Sequence, residues 1–277
     1  MNHINIHRHD AVVILEIARR ERFNSLDVAT AQELRKAGLQ LARDRDVRAV
    51  ILRGEGGVFC SGADLKYIRD GGDDRDLGYL TPEARDRGSG YGRVFKMILE
   101  YIHSTISEIR RAPKPFIAAV DGPAAAGGFG LAMSCDLVIA SDESWFEWAY
   151  LNTGLSGAES STFFLPRLVG FHKAMELALL SPRLTAADAL ELGLINEVHP
   201  RQDLVDRSLE LAGMLASRPT TAVGVAKKLI NRAAGMDRLD VHLDAELDEL
   251  ARIADGPNFA EGIDAFFAKR PPEFDIE

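Results

Sequence analysis

Residues 113–141 read PKPFIAAVDGPAAAGGFGLAMSCDLVIAS. The segment 116–120 is apolar throughout, as expected of a strand covered on both faces. DGPAAAGGFG then breaks the strand and opens a helix that runs through Cys135. The segment 136–140, DLVIA, is the next short strand. Upstream the same order recurs. VRAVILR (47–53) is a second buried strand, and GEGGVFCSGADL follows it. Strand, small-residue turn and helix in succession predict an α/β core.

Working outward, AVVILEIA (11–18) is a strand rich in β-branched residues. Asp27 is placed to cap a helix over 28–43, with Val28, Ala31, Leu34 and Leu41 on one face. A second helix, 97–111, carries Ile98, Ile102, Ile106 and Ile109 on one stripe and stops at Pro113 and Pro115. Residues 69–93 are rich in Gly and charge and are expected to be a surface loop without chemical duty, with closure of Tyr79 or Tyr91 over a ligand as the alternative. Beyond Pro166 the periodicity is helical over 171–180, 185–192, 201–217, 220–233, 238–254 and 258–268. The expected division is a core over 1–200 and a helical C-terminal region over 201–277.

The 277 residues are 46% hydrophobic and 27% charged, with a formal net charge of −9. That composition excludes fibrous, disordered and disulfide-scaffold classes. The acidic balance disfavours nucleic acid and anionic membranes as partners. Cys60 and Cys135 are isolated, so reduced thiols, a reducing compartment such as the cytoplasm, and no metal site are expected. The first ten residues, MNHINIHRHD, lack the apolar run of a signal peptide, and no apolar run reaches membrane-spanning length.

Two turns bear on chemistry. Gly62 and Ala63 follow the strand 47–53, and Gly127 and Gly128 follow the strand 116–120. Small residues admit a ligand to the backbone, and a helix start leaves N–H groups unpaired with a positive dipole end behind them. Two such N–H groups aimed at one point make an oxyanion hole. Ordinary turn chemistry is the alternative. Neither turn has the spacing of a dinucleotide fingerprint or a P-loop.

With FNSLD, VFCSGADLKYI, NTGLSGAESSTFFLPRLVG, AMELALLSPRLTAADALELGLINEVHP and EGIDAFFAKRPPEF added to the segment quoted first, the chain resembles the crotonase (enoyl-CoA hydratase/isomerase) superfamily over about residues 11–275. The resemblance implies a spiral of ββα turns and a helical trimerisation region, hence a homotrimer or a dimer of trimers. It implies acyl-CoA substrates, fatty-acid metabolism, and no cofactor beyond the coenzyme A of the thioester. Carried over by position, it makes the N–H groups of Ala63 and Gly127 the oxyanion donors. Gly62, Asp64 and Leu65 would line the adenine end. Arg22, Lys66 and Lys269 would meet the phosphates, and Phe266 would pack near the nucleotide. A solvated surface charge is the alternative for each basic residue.

The acid/base positions depart from the hydratase pattern. One family glutamate falls at Gly130 and the other at Ala149; an alternative acid found in some relatives falls at Ala158. Glu159 is the next carboxylate, and a subset of relatives carries an acid at this place in GLSG-x-[D/E]. It is the expected general acid/base, with helix capping as the alternative. Glu147 is expected to face away from Trp148, toward solvent or a subunit interface. Tyr150 is expected on Trp148's face, in an acyl pocket or simply in the core. His103 falls on the polar side of its helix and is expected at the surface or an interface. The leading expectation is hydration of a 2-enoyl-CoA through an enolate. The alternatives are double-bond isomerisation, thioester hydrolysis and a catalytically silent CoA-binding scaffold.

Overall fold

A computed structural model describes residues 1–73, 75–76 and 90–275. Six strands form the main sheet in the order β1-β2-β3-β4-β6-β9. They are β1 (Ile4–His9), β2 (Val12–Ile17), β3 (Ala49–Gly54), β4 (Phe116–Val120), β6 (Leu137–Ser141) and β9 (Glu197–His199). β1 pairs antiparallel with β2, and every later pairing in this sheet is parallel. β1 was not anticipated; only its first residue is buried, so its sequence carries little core signal.

Side-chain alternation divides the sheet into two covered faces. Val13, Leu15, Val50, Leu52, Phe116, Ala118, Val138 and Ala140 face the larger core. Ile14, Ile51, Ile117, Ala119 and Ile139 face a smaller one closed by Leu204, Ala212 and Ala216 of the helix Leu204–Ala216. Apolar side chains on both faces explain why these strands read as continuous apolar runs. The helix Leu204–Ala216, from the 201–277 region, thus covers this face of the sheet.

A smaller sheet, β5-β7-β8, contains β5 (Pro123–Ala125), β7 (Trp145–Glu147) and β8 (Leu184–Thr185). Each long strand therefore feeds a short one in the second layer: β4 leads to β5, and β6 to β7. After β3 the short strand is reduced to single bridges, Cys60 to Ala124 and Leu26 to Ala63. Ala63 and Gly127 consequently occupy equivalent places in successive turns of a ββα spiral. Each is followed by a helix: α2 (Leu65–Arg69) after Ala63, and α4 (Gly127–Met133) beginning at Gly127 itself.

α1 (Val28–Arg43) buries the expected face, and Asp27 accepts the Thr30 N–H at 2.8 Å as its cap. α3 (Tyr91–Arg111) starts earlier than its isoleucine stripe suggested. It is buried on two sides, against α1 and against α10 (Leu239–Ala254). α5 (Ser161–Val169), α6 (Phe171–Leu180), α7 (Ala186–Glu191), α8 (Leu204–Ala216), α9 (Thr220–Ala233) and α11 (Pro257–Ala268) complete the helices used below. Tyr91 packs edge-on against Phe259 at 5.4 Å and so belongs to the core; Tyr79 and most of the expected 69–93 loop lie outside the described residues. Among the described residues no helix is long and apolar enough to cross a membrane, and no cluster could hold a metal ion. Both cysteines are free and buried.

Candidate active site

The two small-residue turns are bound to each other. Ala125 N–H donates to the Cys60 carbonyl at 3.1 Å, joining the start of one turn to the end of the other. A Cβ on Gly128 would lie 2.0 Å from that same carbonyl oxygen, so only glycine permits the approach. Gly62 has φ +92°, and a Cβ there would stand 3.0 Å from the Gly127 nitrogen. A side chain at position 62 would therefore cover the Gly127 N–H.

Parallel bridging decides which amides stay unpaired. Leu26 N–H donates to Gly62 O at 2.8 Å, and Asp64 N–H donates to Leu26 O at 2.9 Å. A parallel bridge uses the residues on either side of its centre, so the N–H of Ala63 points away from it. Gly127 is the first residue of α4, where no carbonyl lies a turn earlier to receive its N–H. Among the described residues neither N–H donates to a protein acceptor, and both residues line one cavity of about 460 Å³. Ala126, the residue before Gly127, is held at φ 46° and ψ −117°. A non-glycine residue keeps such a geometry only where its surroundings enforce it.

Three carboxylates stand on the described cavity wall: Asp64, Glu147 and Glu159. Asp64 is fully committed. It pairs with Arg19 at 2.8 Å and Arg22 at 2.5 Å, and it accepts the N–H groups of Lys66 and Tyr67 at the start of α2. These contacts hold its carboxyl below the ordinary range although burial opposes them. Glu147 lines the cavity rather than open solvent, while the buried Trp148 is not on that wall, so the two face apart as alternation predicts. β7 ends at Glu147, and Ala149 turns left-handed at φ 59°. Its carboxylate accepts from Asn152 at 3.0 Å and pairs with Arg183 at 3.4 Å.

Glu159 is different. It is 2% exposed, and among the described residues no cation pairs with it. Burial pushes its carboxyl up to about 7, against a hydrogen bond that favours the charged form. That bond comes from the Tyr150 hydroxyl, which donates to Oε2 at 2.6 Å. Burial keeps the Tyr150 phenol itself protonated well above its usual range. The other oxygen, Oε1, would lie 2.7 Å from a Cβ placed on Gly127. Trp148 packs edge-on against Tyr150 at 4.9 Å and donates its indole N–H to Ser161 Oγ at 3.2 Å.

The position three residues into α4 is closed to a side chain. A Cβ on Gly130 would meet the Glu159 carbonyl oxygen at 2.3 Å. The chain at 157–160 occupies the space a residue there would enter, which accounts for the glycine. Gly157 has φ +98°, and a Cβ on it would meet Trp148 Cζ2 at 2.4 Å; Glu159 and Ser160 follow at φ 50° and 62°.

His103 is not at the surface. It is 6% exposed, and its Nε2 accepts the Glu159 N–H at 3.3 Å. Burial lowers its titration to about 4, so the ring is neutral. The misreading has a plain cause: α10 covers the polar side of α3, and nothing local to α3 announces that cover.

The remaining expected binding residues separate. Arg22, Leu65, Lys66 and Phe266 line the cavity, and Phe266 is 57% exposed. Gly62 instead serves the junction of the turns, with its carbonyl taken by Leu26. Asp64 also stands on the cavity wall, where it positions Arg22 and α2. Lys269 ends α11 in a left-handed cap and does not reach the described wall.

The enoyl-CoA hydratase/isomerase profile matches residues 7–83 and 94–276. The 1,2-epoxyphenylacetyl-CoA isomerase of Escherichia coli (strain K12) is 35% identical over 274 residues, covering 99% of this chain and 98% of that protein. The 4-chlorobenzoyl coenzyme A dehalogenase-2 of an Arthrobacter species is 31% identical over 268 residues, covering 97% and 91%. An enoyl-CoA hydratase crystal structure from Mycobacterium avium subsp. paratuberculosis K-10 superposes with a TM-score of 0.84 at 29% identity, covering 99% of both chains. Spiral topology, paired turns and whole-length similarity agree: the chain belongs to the enoyl-CoA hydratase/isomerase family.

Proposed function

We propose that this protein hydrates a 2-enoyl-CoA through a thioester enolate, with Glu159 as its acid/base. The thioester oxygen rests between the N–H groups of Ala63 and Gly127. The Glu159 carboxylate takes a proton from water as the water oxygen bonds to C3. The C2–C3 double-bond electrons move onto the thioester oxygen, where the two amides hold the charge. The enolate then collapses, and the proton passes from Glu159 to C2. One carboxyl thus serves both proton transfers. Removing one oxyanion donor typically costs about 10²–10³ in rate, and a positioned acid/base contributes about 10²–10⁴.

The observation that carries this reading is the proximity of Glu159 Oε1 to Gly127, beside an N–H with no protein acceptor among the described residues. Arg22 and Lys66 supply positive charge on the cavity wall for the phosphates of coenzyme A, and Phe266 an exposed aromatic face for its nucleotide. Exposed Phe171, Leu179 and Leu180 on α6 support a homo-oligomer, and two reduced, buried thiols support a cytoplasmic setting.

Isomerisation of a 3-enoyl-CoA is the second reading. Among the described residues Glu159 is the one cavity carboxylate without a cationic partner, and isomerisation needs a single base: Glu159 takes the C2 proton and returns it to C4. Turnover of crotonyl-CoA and a 3-enoyl-CoA in H₂¹⁸O separates the readings. Hydration puts the label on a carbon hydroxyl, and isomerisation puts it nowhere. Label in a free carboxylic acid would overturn both.

A further inference from the structure

Behind Glu159, on the side away from the cavity, lies a buried polar cluster that the proposed chemistry does not use. Glu246 of α10 is 6% exposed. Its Oε2 accepts the Ser160 N–H at 2.8 Å, and its Oε1 accepts the Thr162 N–H at 3.0 Å. The Thr162 hydroxyl donates to Oε1 as well, and His242 contacts that hydroxyl at 2.7 Å. His103 of α3 accepts the Glu159 N–H, and its ring is held by the Leu243 carbonyl of α10.

We propose that Glu246 is a positioning residue for Glu159, acting as the N-terminal cap of α5 from a distant helix. Ser160 occupies the cap position of α5 but makes no side-chain cap bond. The first N–H groups of a helix need an acceptor. Glu246 supplies it, with its charge at the positive end of the helix dipole. The same two bonds grip the backbone just after Glu159. Two successive non-glycine residues there, Glu159 and Ser160, are left-handed, a geometry that persists only where it is enforced. His103 at the Glu159 N–H and Glu246 at the N–H groups of Ser160 and Thr162 enforce it together, with His103 Nε2 3.9 Å from Glu246 Oε2. The enforced turn is what turns the Glu159 carboxyl toward Gly127 and Tyr150.

This inference rests on the reading of Glu159 as the acid/base. The groups facing Glu159 are Tyr150 from its own segment, the Cys60 thiol from the first turn, His103 from α3, and Glu246 with His242 behind it from α10. The charge of Glu246 raises the Glu159 carboxyl. E246Q therefore makes two changes at once: it replaces one acceptor oxygen with a donor, and it removes a negative charge. E246D keeps the charge and withdraws it by one carbon.

The test measures kcat, KM and the pH profile of crotonyl-CoA or 3-enoyl-CoA turnover for the wild type, E246Q, E246D and E159Q. For E246Q the expected result is a kcat loss of about 10- to 100-fold, the scale of a small misplacement of a reacting group. KM should stay within about twofold, and the Glu159 limb should move to lower pH. E246D should lose kcat with its limb in place. A folded E246Q with unchanged kcat and limb overturns the proposal, as does failure of both Glu246 variants to fold, which would make the carboxylate a requirement of the fold alone. If E246Q does not fold, E246D decides: reduced kcat at constant KM supports positioning, and unchanged kcat overturns it. E159Q separates the two levels. If it retains full turnover, the acid/base reading itself has failed; if it is inactive while E246Q is normal, only this inference has.

Discussion

Oε1 of Glu159 would lie 2.7 Å from a Cβ on Gly127, so the buried carboxyl and the unpaired amide at the start of α4 are neighbours with no room for a side chain between them. Two segments far apart in sequence meet here, one a turn with small residues and the other a left-handed corner.

G127A tests that contact. Gly127 does not have a positive φ, so alanine is not strained by its backbone. The added methyl must instead displace the Glu159 carboxyl. The expected outcome is a loss of at least about 10² in kcat, with a circular dichroism spectrum like that of the wild type.

Tyr150 sets the working pH. Its hydroxyl favours the charged form of Glu159, opposing the burial that lifts the carboxyl to about 7. Y150F removes that bond, so the carboxyl rises further. The rate of any step that needs the carboxylate should then climb at a higher pH in Y150F than in the wild type. A pH–kcat profile checks this, and an unmoved limb would contradict it.

Stability carries the same signature. Folded Glu159 keeps its proton to about pH 7, whereas its ordinary value is 4.5. The folded state is therefore fully favoured below about pH 4.5, loses stability as pH rises to about 7, and is level above. Glutamine does not titrate. The stability of E159Q relative to the wild type should grow across that window by up to about 3 kcal/mol, as read by denaturant melts at pH 4.5 and 8. A constant difference would contradict the raised value.

A glutamate at Gly130 should not create a second acid. Its Cβ would meet the Glu159 carbonyl oxygen at 2.3 Å. G130E should push the 157–160 corner outward, lowering both Tm and kcat. A gain in turnover would contradict the packing.

Much of this was legible in sequence where the cause is local. The α1 face and its Asp27 cap follow from spacing within one segment, as do the two small-residue turns. What was missed depends on neighbours from elsewhere in the chain. His103 looked exposed because α10, the helix that covers it, comes from a distant part of the chain. Glu147 looked solvent-facing because the cavity it lines is walled by residues from other segments, Arg22 and Arg183 among them. The pairing of Asp64 with Arg19 and Arg22 was not legible because the arginines reach it from another loop. Glu246 carried one local hint, its i,i+4 pairing with His242, and nothing in that spacing points to Glu159.

Exchange of the C2 protons of butyryl-CoA in D₂O, followed by NMR, tests the central claim most directly, because it requires only an enolate hole and a base. The wild type should exchange these protons, and E159Q should slow exchange by about 10²–10⁴. Equal exchange by both proteins would contradict the assignment of Glu159.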